Sequence, residues 1–566
     1  MDAHRCTGTQ SQLRHPDTVM APERLGAMHQ SRISFVRSLI RRMANQKWAV
    51  SLAQWDISEQ GFGVAVYRLE TPNHHYHLVV FSDAIADEER NDRVIAEKWD
   101  VTFALVQGDI DKAFLNQLQN NVPLQEAGRN SSQVLVLARA NKSVRVFEHL
   151  VTSLAEGQQP DSQVLADVGY ILRTTAVYGN GKFGIADFEI LDENPDFNLS
   201  FSAQMCAVYM LRQFSLDWVH FLAKQQGGTK ATLLARPLQR YLGVGNATGL
   251  GMAPYLIRHP RIVDQWLSER EKALAAVSVC TITPTASQAI YPLLDRAIAH
   301  LTQVVTINEH QQKLNAEAIS DIHNIMAKIN AAQQKQWQWK QLIEDNQQYC
   351  NEAQEITISC IMEQYPELVD SHENSMNADE TLALAPGITV QKLTEVLKER
   401  YRWALDIDFS SAENSYWFWY RSEDKEEPRM GIRGEEPGDD RELALDIARQ
   451  VYRLNAALAT VEPSQTLAEF LLHQPQYRSI ARRAWTLGHC PMGDIQMNVL
   501  NQHALPMHLL RCKLAMFGAT KFDPRSDRWV RVTFFQGAPL TDEIHDQEWL
   551  FPLLPTNTES TPEAQA

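Results

Sequence analysis

Three strand-like runs, Trp48 to Ile57, Gly63 to Glu70 and Tyr76 to Ser82, follow one another across very short links. The links are Ser58-Glu59-Gln60-Gly61 and Thr71-Pro72-Asn73, both rich in turn residues. Parallel strands need a crossover of roughly a dozen residues or more, so these short links suit an antiparallel meander. A helix from Ser31 to Asn45, with Ile33, Val36, Leu39 and Ile40 on one face, precedes it, and a further strand is expected at Val101 to Gln107.

A comparable order recurs near residue 390. A helix from Val390 to Arg400 leads into strand-like runs at Tyr401 to Phe409, Tyr416 to Arg421 and Pro428 to Ile432, and then a helix at about Arg441 to Ala457. Downstream, Arg173 to Gly184 and Arg482 to Gly493 both read R-x5-G-x3-(F or M)-G, and each precedes an apolar helix, Ala203 to Phe214 or Met507 to Phe517. The expectation is an α+β fold made of two weakly similar helix-plus-antiparallel-meander units.

The region between them reads as helix. Ile307 to Ile329 and Gln333 to Met362 are rich in Ala, Gln, Lys and Glu, with Ile319, Ile322, Ile325, Met326 and Ile329 at helical spacing. Such a face suits a bundle core or an oligomer contact. The expected organisation is a mobile arm over 1–30, a first α+β unit over 31–200, a helical region over 201–375, a second α+β unit over 376–554 and a disordered tail over 555–566.

With 566 residues and a formal net charge of −16, the chain lacks the basic balance that broad nucleic-acid binding requires. No run approaches the roughly 20 apolar residues of a membrane span, and the N-terminus lacks the apolar centre of a secretory signal. The seven cysteines, Cys6, Cys206, Cys280, Cys350, Cys360, Cys490 and Cys512, are scattered and form no CxxC pair. That spacing predicts neither a disulfide framework nor a zinc site, and points to a reducing cytoplasm.

Four segments carry candidate chemistry. In Arg240 to Pro254, Gly243, Gly245, Gly249 and Gly251 fall within nine residues, with Asn246 and Thr248 between them. A glycine-rich turn feeding a helix N-terminus can cradle an anion through backbone N–H groups. The plainer alternative is a tight helix-to-helix turn, and the spacing fits neither dinucleotide-binding nor P-loop patterns. In Tyr178-Gly-Asn180-Gly-Lys182-Phe-Gly184, Asn-Gly is a turn signal that would present Lys182, with Arg173 upstream and Asp187 downstream. Against this stands a surface turn with a solvated lysine.

The aromatic run Tyr416 to Tyr420 and the neighbouring charges Arg421, Glu427, Arg429, Arg433, Glu435 and Glu436 could tie strands together or hold a polar ligand. His489-Cys490, beside Gly488, could pair a base with a nucleophile, although adjacent residues seldom point at one centre. His75 and His77 would share a strand face, but no carboxylate or cysteine completes a metal set.

The expectation is an enzyme that binds a small carboxylate or phosphate metabolite. Arg173, Asn180, Lys182, Arg240 and the Gly243–Gly251 segment would hold the anion, and Tyr178, Asp187 or His489 would serve as acid or base. The cofactor and reaction are not encoded in any motif. The alternative is a non-catalytic scaffold or regulatory protein that assembles, as a homo-oligomer or with partners, through its long helices.

Overall fold

The computed structural model describes residues 14–85, 99–121, 131–176, 194–249, 259–304, 306–375, 384–410, 417–422, 425–432, 443–493, 506–526, 529–544 and 549–555. The chain forms two compact units, each assembled from three separated segments. One takes Met1–Met28, Leu250–Cys280 and Ser371–Lys513; the other takes His29–Gly249, Thr281–Asp370 and Leu514–Ala566. We call them the helical unit and the sheet unit.

The sheet unit contains a nine-stranded sheet. Its first seven strands, β1 (Ala49–Ile57), β2 (Gly63–Glu70), β3 (His75–Ser82), β4 (Val101–Gln107), β5 (Val134–Lys142), β6 (Tyr170–Thr174) and β7 (Gly243–Gly249), lie in sequence order. The strands β8 (Trp417–Ser422) and β9 (Lys425–Ile432) form a separate antiparallel hairpin in the helical unit. The sheet is completed by β10 (Ala519–Ser526) and β11 (Trp529–Phe534), in the order β7-β11-β10. The expected meander β1–β3 is antiparallel and continues through β4, β5 and β6.

Among the described residues, only β6 and β7 pair in parallel. The long chain between them includes the 26-residue helix Ser202–Gly227, which supplies the crossover a parallel pair demands. This helix is buried around most of its circumference, from Met205 to Trp218, because it packs on the sheet on one side and on the helix Phe147–Ala155 on the other. Gly227 permits that approach: a β-carbon there would fall 2.1 Å from the Ala155 carbonyl oxygen. On the opposite sheet face the helix Lys112–Asn121 sets Leu118 against Val66, Val79, Ala104 and Val106.

Helices Pro284–Gln303, Glu309–Gln334 and Asn351–Glu363 pack on one another in the sheet unit. Ile322, Ile325 and Ile329 are fully buried there, so the helically spaced isoleucines serve a bundle core. The helical unit has its own core, where Leu393, Leu397, Val451, Leu454, Phe470 and Ile480 come from the helices Val390–Arg400, Leu443–Leu458, Leu467–His473 and Arg478–Leu487.

The fold is mixed α and β with a largely helical middle, as the sequence implied, but the proposed duplication is not supported. Tyr401 to Phe409, expected as a strand, contains the helix Arg402–Leu405. Arg173 lies on strand β6, whereas its supposed counterpart Arg482 lies on the helix Arg478–Leu487. The expected mobile arm is also corrected from Arg14 onward. Pro16–Val19 and Pro22–Leu25 are helical, and Val19, Leu25 and Met28 are buried. A handful of apolar side chains in that stretch suffices to dock it, and Arg14 makes a two-pronged contact with Glu271 at 2.6 and 2.7 Å. The tail from residue 556 lies outside the described residues. Among the described residues, no helix is long and apolar enough to cross a membrane.

Candidate functional site

Neighbouring strands place register partners on the same face of a sheet. Thr102 on β4 pairs with Arg139 on β5, Asn141 on β5 pairs with Arg173 on β6, and Arg173 pairs with Gly245 on β7. Thr175, just past the end of β6, donates its N–H to the Arg139 carbonyl and so stands opposite Arg139. Two guanidiniums, one carboxamide and two hydroxyls therefore share one face across the three adjacent strands β4, β5 and β6. Thr102 and Thr175 are buried, and their hydroxyls have no hydrogen-bond partner among the described residues. Burial pulls the Arg139 pKa below its ordinary value, and its guanidinium sits 5.3 Å from the Trp99 ring.

The same face continues over β7 to β11 and β10. Thr533 and Arg531 on β11 face Lys521 and Asp523 on β10. The Lys521 ammonium donates to the Ala166 carbonyl, and Arg531 Nη1 donates to that of Asp167 at 2.5 Å. These are the last carbonyls of the helix Ser162–Val168, which otherwise lack acceptable donors. The two cations are thus committed to capping a helix.

The glycine-rich segment is not a turn. Gly243 to Gly249 form β7, hydrogen-bonded to β6 on one side and β11 on the other, so the backbone donors expected to cradle an anion serve the ladder instead. Glycine inside a strand marks a close approach. At Gly243 a β-carbon would meet the Phe534 carbonyl oxygen at 2.2 Å, and at Gly245 it would meet the Tyr170 ring. Asn246 pairs with Thr174 and Val532 and sits, buried, on the other face from Arg173. Thr248 and Gly249 continue the strand opposite Val530 and Trp529. Gly251 lies outside the described residues.

Arg240 belongs to the short helix Arg236–Tyr241, where its guanidinium approaches Glu543 at 3.9 Å and its carbonyl accepts from Arg212 and Gly537. Tyr178, Asn180, Lys182 and Asp187 lie outside the described residues, in the segment that follows Thr175. Of the anion-binding residues expected from sequence, the structure thus brings Arg173 and Gly245 side by side and turns Asn246 away from them.

His489 is exposed at the end of the helix Arg478–Leu487, with its ring 5.6 Å from Trp485. Cys490 instead lines a concavity of the helical unit with His15, Asp17, Arg400, Tyr401 and Leu487. His74, His75 and His77 take separate partners: Asp196 at 3.2 Å, Asp109 at 2.9 Å and the Gly108 carbonyl at 2.9 Å. They gather no common centre.

Among the described residues Cys206, Cys350, Cys360, Cys490 and Cys512 form no disulfide, whereas Cys280 is disulfide-bonded. This corrects the expectation that no cysteine pairs, since scattered spacing in sequence does not limit approach in space. The argument from cysteine usage to a reducing compartment goes with it. Glu317, Asp321 and Cys350 bring ligand atoms within 4.8 Å of one another. Asp321 already accepts the Cys350 N–H at 2.9 Å and caps the helix Asn351–Glu363. Burial, with Asp321 and Glu317 adding to it, pushes the Cys350 thiol up to about 12.

Thr102, Arg139, Asn141 and Thr175 were not singled out from sequence. A polar interruption of an otherwise apolar strand, as at Arg139 in Val134–Lys142, was the available signal, but it needs the register of both neighbours to acquire meaning. No family model, no curated protein and no solved structure matches the chain.

Proposed function

We propose that the chain is an enzyme that binds a small carboxylate or phosphate metabolite on the polar face of its sheet. The observation that supports this is the placing of Arg139 and Arg173 on one face with the buried, unpartnered hydroxyls of Thr102 and Thr175. Guanidiniums hold carboxylate and phosphate in a two-pronged way, and hydroxyls complete the coordination of the remaining oxygens. Tyr178 and Asp187 follow Thr175 closely in sequence and are the acid–base candidates. The alternative of a scaffold assembling through its long helices is disfavoured because Ile322, Ile325 and Ile329 are already buried within the sheet unit.

The test is a thermal-shift screen with a panel of di- and tricarboxylates and sugar phosphates, since a ligand that binds only the folded state raises its apparent stability. A hit should lose at least about tenfold in affinity in both Arg173→Ala and Arg139→Ala, the size expected for charge-assisted hydrogen bonds. No hit across the panel, or a hit indifferent to both substitutions, would overturn the proposal.

A further inference from the structure

The helix Phe35–Asn45 begins at Ser34 with no side-chain cap, and four residues between Gln30 and Arg37 carry buried donors. Gln30 Nε2, Ser31 Oγ, Ser34 Oγ and Arg37 Nη1 have no hydrogen-bond partner among the described residues. Ser31 and Ser34 are fully buried, and the Arg37 side chain is 1% exposed. Side chains on a helix lean towards its N-terminus, which carries Arg37, in the first turn, back over Ser34 and the chain before it. Arg41 shows the same lean, reaching back one turn to Ser38. The first-turn backbone N–H groups point the same way and add a positive dipole end. Gly518 packs closely against this end: a β-carbon there would sit 3.0 Å from the Ser34 hydroxyl.

The charges around this end have a particular arrangement. Arg32 takes both Asp370 oxygens at 2.5 and 2.8 Å and reaches Glu363 Oε1 at 3.1 Å. Arg37 Nη2 also donates to Glu363 Oε1, and the guanidinium lies 5.6 Å from the Trp549 ring centre. Glu363 Oε2 is buried without a partner. The Arg37–Glu363 pair therefore has one unused donor and one unused acceptor, beside three further unused donors. Burial lowers the Arg37 pKa; Glu363 opposes this, and Arg41 and Arg32 add to it.

We propose that this end of the helix binds a phosphate group, free or as a small monoester. Its unprotonated oxygens accept from Arg37 Nη1, Ser31, Ser34, Gln30 and the first-turn amides, while its P–OH, present in hydrogen phosphate and in the monoanion of a monoester, donates to Glu363 Oε2. The unpartnered carboxylate oxygen makes the site selective: sulfate carries no proton at neutral pH and would set an oxygen against Glu363. Asp370, 31% exposed, is the most exposed member of the Arg32–Arg37–Glu363 ion network. The site uses none of the sheet-face residues and stands or falls independently of them.

Calorimetric titration of the full chain at constant ionic strength is the test, with inorganic phosphate, glycerol phosphate and sulfate as separate probes. Saturable binding of phosphate, of the monoester or of both, with sulfate at least tenfold weaker, is expected; which of the two binds identifies the source of the group. Ser31→Ala/Ser34→Ala should weaken binding at least tenfold, and Arg37→Lys, which keeps a charge beside Glu363 but removes Nη1, should do so even if the double variant folds poorly. Absence of saturable binding by either phosphate probe, equal binding of sulfate, or indifference to Arg37→Lys would each overturn the site.

Discussion

The ring of Tyr170 occupies the space where Gly245 lacks a side chain; a β-carbon at Gly245 would fall 2.8 Å from three of the ring carbons. The contact closes the sheet face between Arg173 and the β11 side chains. Gly245→Val should therefore destabilise the fold by roughly 1–3 kcal/mol through overpacking. Tyr170→Ala added to Gly245→Val should recover part of that loss, a non-additivity that a double-mutant cycle in denaturant would read. Full additivity would mean that the two side chains do not compete for one space.

Arg212 is fully buried on the helix Ser202–Gly227 and donates to four backbone carbonyls, those of Leu242 at 2.7 Å, Pro539 at 3.1 Å, Gln239 at 3.1 Å and Arg240 at 2.7 Å. Burial lowers its pKa to about 10. The carbonyl dipoles at the end of the helix Arg236–Tyr241 take the place of a carboxylate partner. Arg212→Met preserves bulk but removes the donor to four carbonyls, of which those of Pro539 and Arg240 keep Tyr209 and Gly537, and should cost roughly 3–5 kcal/mol in chemical denaturation. A loss under about 1 kcal/mol would show that these carbonyls find other donors.

Asp196 is fully buried and accepts from Thr71 Oγ1 at 2.8 Å, Asn73 Nδ2 at 2.7 Å and the Tyr76 hydroxyl at 2.8 Å, with His74 at 3.2 Å. Burial pushes its pKa up, but these hydrogen bonds outweigh it and leave the carboxyl below its ordinary value. A depressed carboxylate contributes stability that is present above its unfolded pKa and is lost as pH falls through the folded one. Asp196→Asn should cost roughly 1.5–3 kcal/mol at neutral pH, the value for hydrogen bonds to a charged group. The gap between variant and parent should narrow in acid.

His220 accepts the Leu234 N–H on Nε2 at 3.1 Å, a role open only to the neutral ring. Burial lowers its pKa to about 4. The folded state then binds fewer protons than the unfolded one between about pH 6.5 and 4, so stability from this group is intact above that window and falls as pH drops through it. The fall should amount to at most about 3 kcal/mol, set by the size of the shift. His220→Gln, which retains an acceptor, should flatten that part of the stability–pH curve; an unchanged curve would locate the acid sensitivity elsewhere.

Local patterning determined a large part of this fold. The links at Ser58–Gly61 and Thr71–Asn73 forced β1 to β3 into hairpins, because no other connection of that length exists. The spacing of Ile322, Ile325 and Ile329 marked a buried helical face for the same kind of local reason. The glycines of 243–249 show where such patterning stops. Their freedom suits a turn and a crowded strand equally, and the choice came from partners distant in sequence: Tyr170, and the chain around Phe534.

Arg173 was legible as a candidate because it neighbours a glycine loop, but its companions were not. Arg139 and Thr175 meet through pairing of β5 with the end of β6, and β7 reaches them only after the crossover through Ser202–Gly227. The phosphate-site residues are more scattered still, with Gln30 to Arg37 set against Glu363 more than 300 residues later. A sequence determines which segments can be helix or strand, because hydrophobic period and turn chemistry act over a few residues. Which polar side chains end up buried together is decided by tertiary packing, where register and long-range contact, rather than neighbouring residues, set the partners.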